Sequence, residues 1–368
     1  MKKKFLKNLT VIVLALFTFL LGSCAMKETL PQVNESVVMI KTEWNQLRFT
    51  DIEKGSLVLK NGRVTYVEGV DYEVDYANGR IRRLEKSKIP DFSRNPLYNA
   101  ADKSFNHEDY KTSTSFHASY FTVTASYNFG KEANKNDTYE AVLAAANAKN
   151  QTAIPINVIN KIKNGQDILI GVVGDSISVG AEATQGNEYF TLFAKYLETY
   201  GETPVKVDLV NVSVGGDASD AAITRSNQLY QQCTEKEPDL VIIAYGMNDQ
   251  NSTSTTPRIS PQQYVSNIRN TINNIRNLAK SAPDFIVVTA MPANPIWLHT
   301  SGKWYDFGNA LRDFAKQNSI PIADAGALFK AELDHGQNYE EFIISMINHP
   351  GDYGHSLYFR ALKSLFTE

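Results

Sequence analysis

The chain has 368 residues, of which 43% are hydrophobic and 21% charged, with a formal net charge of −3. This composition excludes a disordered chain, a collagen-like repeat and a multi-span membrane protein, and the near-neutral balance argues against a nucleic-acid partner. Only two cysteines, Cys24 and Cys233, are present, so neither a disulfide framework nor a cysteine-built zinc site is expected. The length suits two domains or one large one.

At the N-terminus, Lys2, Lys3, Lys4 and Lys7 precede the apolar run Leu9 to Leu21. The run is short for a membrane span and suits the apolar core of an export signal. Leu21-Gly22-Ser23-Cys24 follows, and it resembles a bacterial lipobox. Small residues give a peptidase access to the bond, and the Cys24 thiol carries a diacylglycerol. The expectation is a lipoprotein signal over residues 1–23 and a tether over 24–36. The chain would be exported and lipid-anchored through Cys24 to the cell envelope, at the outer membrane or cell surface. The alternative is an ordinary cleaved signal whose cysteine is incidental.

Residues 37–130 read as a β-rich domain. Ser56 to Lys60 and Arg63 to Val67 alternate around Asn61-Gly62, and Tyr72 to Tyr76 and Arg80 to Leu84 alternate around Asn78-Gly79. These are hairpin signals, and short strands at this spacing suggest a small sandwich or barrel. Ser115 to Tyr127 reads as one or two further strands. Residues 131–164 read as a linker carrying a short helix from Thr138 to Ala148. Cys233 reads as a packing residue in a helix.

From about residue 165 to 368 the pattern alternates between β and α. Apolar runs at 168–173, 205–212, 239–245, 284–290 and 320–323 read as strands. Helical patterns lie at about 186–200, 218–234, 260–281, 303–317 and 353–366. Such alternation predicts a parallel sheet covered on both faces, with ligands at the carboxyl ends of its strands.

No G-x-S-x-G, P-loop, H-E-x-x-H or G-x-G-x-x-G motif is present. The first buried strand instead ends in Gly174-Asp175-Ser176, which would expose Ser176 at the top of the sheet. The second ends in Gly215-Gly216-Asp217, where glycine lets a backbone N–H face an oxyanion. The third ends in Gly246-Met247-Asn248-Asp249, and the Asn248 amide could donate to the same oxyanion. Asn348-His349-Pro350 precedes the last helix, and His349 could serve as general base for Ser176. Taken singly, these pieces also suit helix caps and tight turns.

Taken in this order, the four blocks resemble those of the SGNH hydrolases, the GDSL esterase and lipase superfamily. Its invariant Ser, Gly, Asn and His match Ser176, Gly216, Asn248 and His349, over roughly residues 165–366. The resemblance implies a flavodoxin-like three-layer αβα fold with sheet order 2-1-3-4-5, preceded here by the small all-β domain. It implies ester hydrolysis with neither metal nor cofactor. Ser176 and His349 would be catalytic, and Ser176, Gly216 and Asn248 would form the oxyanion hole. Much of the family has Asp three residues before the His. Here Met346 stands there, with Ser345 one residue earlier, so the third member of a triad is open. Asp352 is a weak candidate, and Asp324 reads as structural.

Met291 to His299 follows the fourth strand and should overhang the site, offering Trp297 and His299 to substrate. His355 could also line the pocket. Trp297, Trp304 and Tyr305 could stack on a sugar or belong to core or lid. Trp44, Tyr66, Tyr72 and Tyr76 invite the same two readings, with packing preferred. The β-rich region, the hydrolase blocks and the export signal together resemble exported carbohydrate esterases. The expected partner is an acetylated glycan or another small ester, with O-deacetylation as the activity. The rivals are a lysophospholipase or thioesterase, and a catalytically weak glycan-binding surface lipoprotein.

Overall fold

The computed structural model describes residues 27–95, 98–99, 104–105, 118–252, 256–295, 297 and 299–366. The signal expected over 1–23 and the expected lipidation site Cys24 lie outside the described residues, as do His107 and Ser115 to His117.

The first strand is β1 (Thr29–Val38). The tether expected over 24–36 therefore gives way to strand at Thr29, paired antiparallel with the last strand of this region, β9 (Thr122–Gly130). A bulge between Gln32 and Glu35 lets two polar side chains turn inward. They look like tether in the sequence, yet both are buried because partners await them. Between β1 and β9 come β2 (Asn45–Gln46), β3 (Val58–Asn61), β4 (Val64–Thr65), β5 (Tyr72–Asp75), β6 (Arg80–Arg83), β7 (98–99) and β8 (104–105). They form antiparallel sheets in the orders β1-β9-β3-β4, β2-β6-β5 and β7-β8. Both hairpin signals hold. Gly79, at φ +62°, is also obligatory for space, since a Cβ there would lie 2.1 Å from the Phe49 carbonyl oxygen. Of the strands expected across Ser115 to Tyr127, the described part is a short 3₁₀ turn at 118–120 followed by the start of β9.

Helix α1 (Tyr139–Asn150) matches the short helix expected, and the Thr138 hydroxyl accepts the Ala141 N–H at its start. A second helix, α2 (Ile156–Lys163), also lies in this segment and buries Val158, Ile159 and Ile162. Both pack into the same apolar core as the sheets on either side, so this segment is more than a connection.

The remaining strands are β10 (Ile168–Gly174), β11 (Val207–Asn211), β12 (Leu240–Ala244), β13 (Asp284–Val288) and β14 (Ile322–Ala323). They form one parallel sheet in the order β11-β10-β12-β13-β14, the 2-1-3-4-5 order of a flavodoxin-like fold. The helices are α3 (Ser176–Val179), α4 (Tyr189–Glu198), α5 (Ala222–Gln232), α6 (Pro261–Leu278), α7 (Trp304–Asn318), α8 (Ala325–His335), α9 (Tyr339–Phe342) and α10 (Asp352–Lys363). Every residue of β10 is buried, and its alternation sorts the layers. Ile168, Ile170 and Val172 face a core with Phe193 and Leu197 of α4 and Leu357 and Ala361 of α10. Leu169 and Val173 face Leu229 of α5, Ile268 and Ile272 of α6 and Leu311 of α7. The buried Cys233 closes the C-terminus of α5.

A buried polar network joins the β region to the α/β region. Glu35 accepts the Tyr127 hydroxyl at 2.5 Å and the Arg48 N–H at 2.8 Å. The Arg48 side chain lies 3.2 Å from Glu332 of α8, and neither side chain is exposed. Tyr353 of α10 donates to Glu332 and meets the Tyr139 hydroxyl at 2.8 Å, and Tyr139 accepts from Gln32. Burial raises the Glu35 carboxyl from 4.5 to about 8 and the Glu332 carboxyl to about 7. Between pH 4.5 and 8 the folded chain therefore holds protons that the unfolded chain releases, so stability falls as pH rises. We expect a lower urea midpoint at pH 8 than at pH 5, with the slope reduced in Glu35→Gln. A midpoint independent of pH across this interval would contradict the assignment.

Candidate active site

Ser176 opens the turn that follows the central strand β10. Its N–H is among those a helix start leaves without an intrahelical partner. Asp175 caps the turn by accepting the Ile177 N–H at 3.0 Å, and Gly180, at φ +91°, ends it. Asp175 is buried, and burial lifts its carboxyl to about 7. The Ser178 hydroxyl meets that of Tyr189 at 2.8 Å beneath the turn. Gly174 makes this tight exit sterically feasible, since a Cβ there would lie 2.3 Å from the Ser178 Oγ and 2.7 Å from the Ala244 carbonyl oxygen.

The loop after β11 comes alongside. A Cβ placed on Gly215 would lie 3.8 Å from the Ser176 Cβ, in ordinary contact. Gly216 is exposed, with φ +82°, a backbone conformation glycine adopts without strain. The loop after β12 then locks onto it. Asn248 Nδ2 donates to the Asp217 carbonyl at 2.8 Å, while its Oδ1 accepts from Asn251 at 3.2 Å. A side-chain amide has two N–H groups. One fixes the orientation of Asn248 against the Asp217 carbonyl, next in sequence to Gly216. Asp249, fully buried, takes the Ser219 N–H and hydroxyl and ties the base of this loop to α5's lead-in. Burial pushes its carboxyl up to about 6.

His349 arrives from the loop between α9 and α10. Its Nε2 lies 2.9 Å from the Ser176 Oγ, a distance at which the hydroxyl can donate to an unprotonated ring nitrogen. Ser345 shapes the loop, its Oγ accepting the backbone N–H of Asn348 at 3.3 Å and of His349 at 2.9 Å. Asn294, in the loop after β13, clips the same segment. Its N–H donates to the Ile347 carbonyl at 2.8 Å and its side chain to the Met346 carbonyl at 3.1 Å. The roles of Ser345 and Asn294 were not visible in the sequence, because both consist of hydrogen bonds to the backbone and leave no residue-type signature.

The loop from Met291 to His299, expected to overhang the site, is tied to both neighbouring loops. Asn294 joins it to the His349 loop, and the Ser252 N–H donating to the His299 carbonyl at 2.7 Å joins it to the Asn248 loop. The half-buried Trp297 ring meets the exposed His299 ring edge-on, centroids 5.7 Å apart. His355, by contrast, is fully buried under α4, stacked on Tyr189, and burial lowers it to about 4, so it belongs to the core and not to the pocket lining. Asp352 accepts from the Thr184 N–H and the Asn187 side chain, and so braces the segment that follows the Ser176 turn. Asp324 is structural as expected, paired with Arg312 at 2.8 Å. Tyr66 and Tyr72 fill the core. Trp44 is exposed beneath the guanidinium groups of Arg80 and Arg82. Trp304 and Tyr305 begin α7, with Arg312 over the Tyr305 ring.

The family model for the GDSL-like lipase/acylhydrolase family matches residues 172–357, half of the chain. A search of curated protein sequences finds no match. Among solved structures, the chain is similar to a lipolytic G-D-S-L family protein from Veillonella parvula, with 16% identity and TM-score 0.41, covering 53% of this chain and 96% of that one. It is similar to the acetylxylan esterase Axe2 from Geobacillus stearothermophilus, with 19% identity and TM-score 0.43, covering 56% and 97%. It is also similar to a two-domain esterase active on acetylated mannans, with 18% identity and TM-score 0.45, covering 59% of this chain and 55% of that one.

Because the exit of β10 leaves no room for a side chain, Gly174→Ala is expected to force apart the Ser176 turn and the end of β12. The cost should be about 1–3 kcal/mol of stability, read as a lowered urea midpoint. An unchanged midpoint would show that the turn yields freely.

Proposed function

The chain belongs to the GDSL-like lipase/acylhydrolase family, and we propose that it is a serine esterase that removes a small acyl group, acetyl above all, from a glycan. The observation that carries the reading is the 2.9 Å approach of His349 Nε2 to the Ser176 Oγ, beside the Gly216 and Asn248 loops.

In this reading His349 takes the Ser176 proton as the hydroxyl oxygen attacks the ester carbonyl. The tetrahedral oxyanion is received by the N–H groups of Ser176 and Gly216 and by the second N–H of the Asn248 amide. His349 returns the proton to the leaving alkoxide, and the acyl group remains on Ser176. Water, deprotonated by the same imidazole, then attacks the acyl-enzyme, and the carboxylic acid leaves as His349 returns the proton to the Ser176 oxygen. Asn248 needs no reorganisation during the step, because Asp217 and Asn251 already hold it.

Trp297 and His299, on the loop from Met291 to His299, are the proposed sugar-binding residues. The proposal includes export and attachment to the envelope through Cys24, supported by the sequence Leu21-Gly22-Ser23-Cys24 behind a basic and apolar leader.

Steady-state hydrolysis of p-nitrophenyl acetate, butyrate and octanoate by the chain from residue 25 onward tests this. Acetate should be the best substrate, Ser176→Ala should abolish turnover, and Asn248→Ala should lower kcat by about 10²–10³-fold. Rates that rise with chain length would point to a lipid or thioester substrate. Equal rates for wild type and Ser176→Ala would remove the catalytic assignment.

A further inference from the structure

We propose that the N-terminal β region is a working part of this esterase site, acting through Met346 to fix the loop that presents His349. The proposal rests on the catalytic reading of Ser176 and His349 given above.

Three observations converge on the segment from α9 to His349. The Met346 side chain is 2% exposed and packs in a small apolar cluster with Val38 of β1, Phe92 and Ala118, all from the β region. Backbone and polar contacts accompany it. The Ala118 N–H donates to the Ile344 carbonyl at 3.0 Å, and Asn95 Nδ2 lies 4.0 Å from the Met346 Sδ. One turn earlier, Glu341 of α9 accepts the Val38 N–H at 3.1 Å and the Asn45 side chain at 2.7 Å.

Met346 itself sits at φ +71°, in the left-handed region that a residue with a long side chain rarely adopts. Such a conformation persists where the surroundings over-determine it. Here the β region holds the side chain from one direction while Asn294 holds the Met346 carbonyl from the other. The chain reversal that results brings the N–H groups of Asn348 and His349 onto the Ser345 hydroxyl. The imidazole three residues beyond Met346 is thereby aimed at the Ser176 Oγ. Met346 stands where many family members place an acid, and its role differs in kind. It reaches the ring through the backbone and through packing, so it is a positioning residue. A misplacement of about 1 Å in such a catalytic pair costs about 10²-fold in rate.

The test is p-nitrophenyl acetate kinetics on the chain from residue 25 onward, with thermal melts, for wild type, Met346→Ala, Met346→Leu, Phe92→Ala and Ser176→Ala. Met346→Ala and Phe92→Ala should each lower kcat by about 10–100-fold while leaving KM within about twofold, and Met346→Leu should restore kcat to within about threefold of wild type. Should Met346→Ala not fold, Phe92→Leu carries the test from within the β region and should lower kcat by at least about threefold at unchanged KM. If kcat in these variants stays within about twofold of wild type, or if Met346→Leu fails to recover it, the positioning role is overturned, and the catalytic reading stands as long as Ser176→Ala is dead. Retained activity in Ser176→Ala overturns the catalytic reading instead.

Discussion

The chemistry proposed for this molecule depends on one hydrogen bond, 2.9 Å long, between side chains 173 residues apart in the sequence. A bond of that kind contributes little to net stability, so it cannot hold its own two ends together. The fold has to deliver both atoms independently and to within a few tenths of an ångström. The two ends are delivered in different ways. Ser176 is placed locally, by a strand with no exposed residue, a glycine exit and an aspartate cap. His349 is placed by tertiary contacts to elements far away in the sequence.

That difference explains what the sequence could reveal. The parallel strands were legible because burial on both faces demands unbroken apolar runs, as in Ile168 to Val173. The hairpins were legible because Asn-Gly pairs admit the positive φ their turns need. The Ser176, Gly216, Asn248 and His349 blocks stood out by their order and their resemblance to a known family, each lying at a strand end or before a helix. Strand β1 was read as tether from Thr29 to Ser36, because its inward residues Gln32 and Glu35 are polar. Only the three-dimensional partners Tyr127, Arg48 and Tyr139 make their burial tolerable. Helix α2, only eight residues long, and α8, separated from β14 by one residue, went unread. What orients the His349 loop was illegible for the same reason as β1: Met346 and Asn95 meet across 251 positions.

The buried network around Arg48 gives the β region a second meaning. A binding module on a flexible connection would meet its neighbour through a modest, wet surface. Here Arg48, Glu35 and Glu332 are fully buried across the junction, and Gln32 and Tyr353 bond to the Tyr139 hydroxyl from opposite sides of it. A buried polar cluster of this sort, centred on an arginine, is a poor source of net stability but strongly penalises any arrangement that separates its partners. Its effect is to admit one relative placement of the two regions.

That single placement is what the His349 loop requires. A cluster such as Val38, Phe92, Ala118 and Met346 is apolar and non-directional, and by itself would tolerate sliding. The polar network supplies the direction that the cluster lacks, and the cluster supplies the close packing that hydrogen bonds alone leave loose. Glu341 unites the two, since it lies on the short helix that leads into the His349 loop and takes its donors from β1 and β2. The nucleophile can thus be understood from the α/β sheet alone, whereas its base can be understood only with the β region in place.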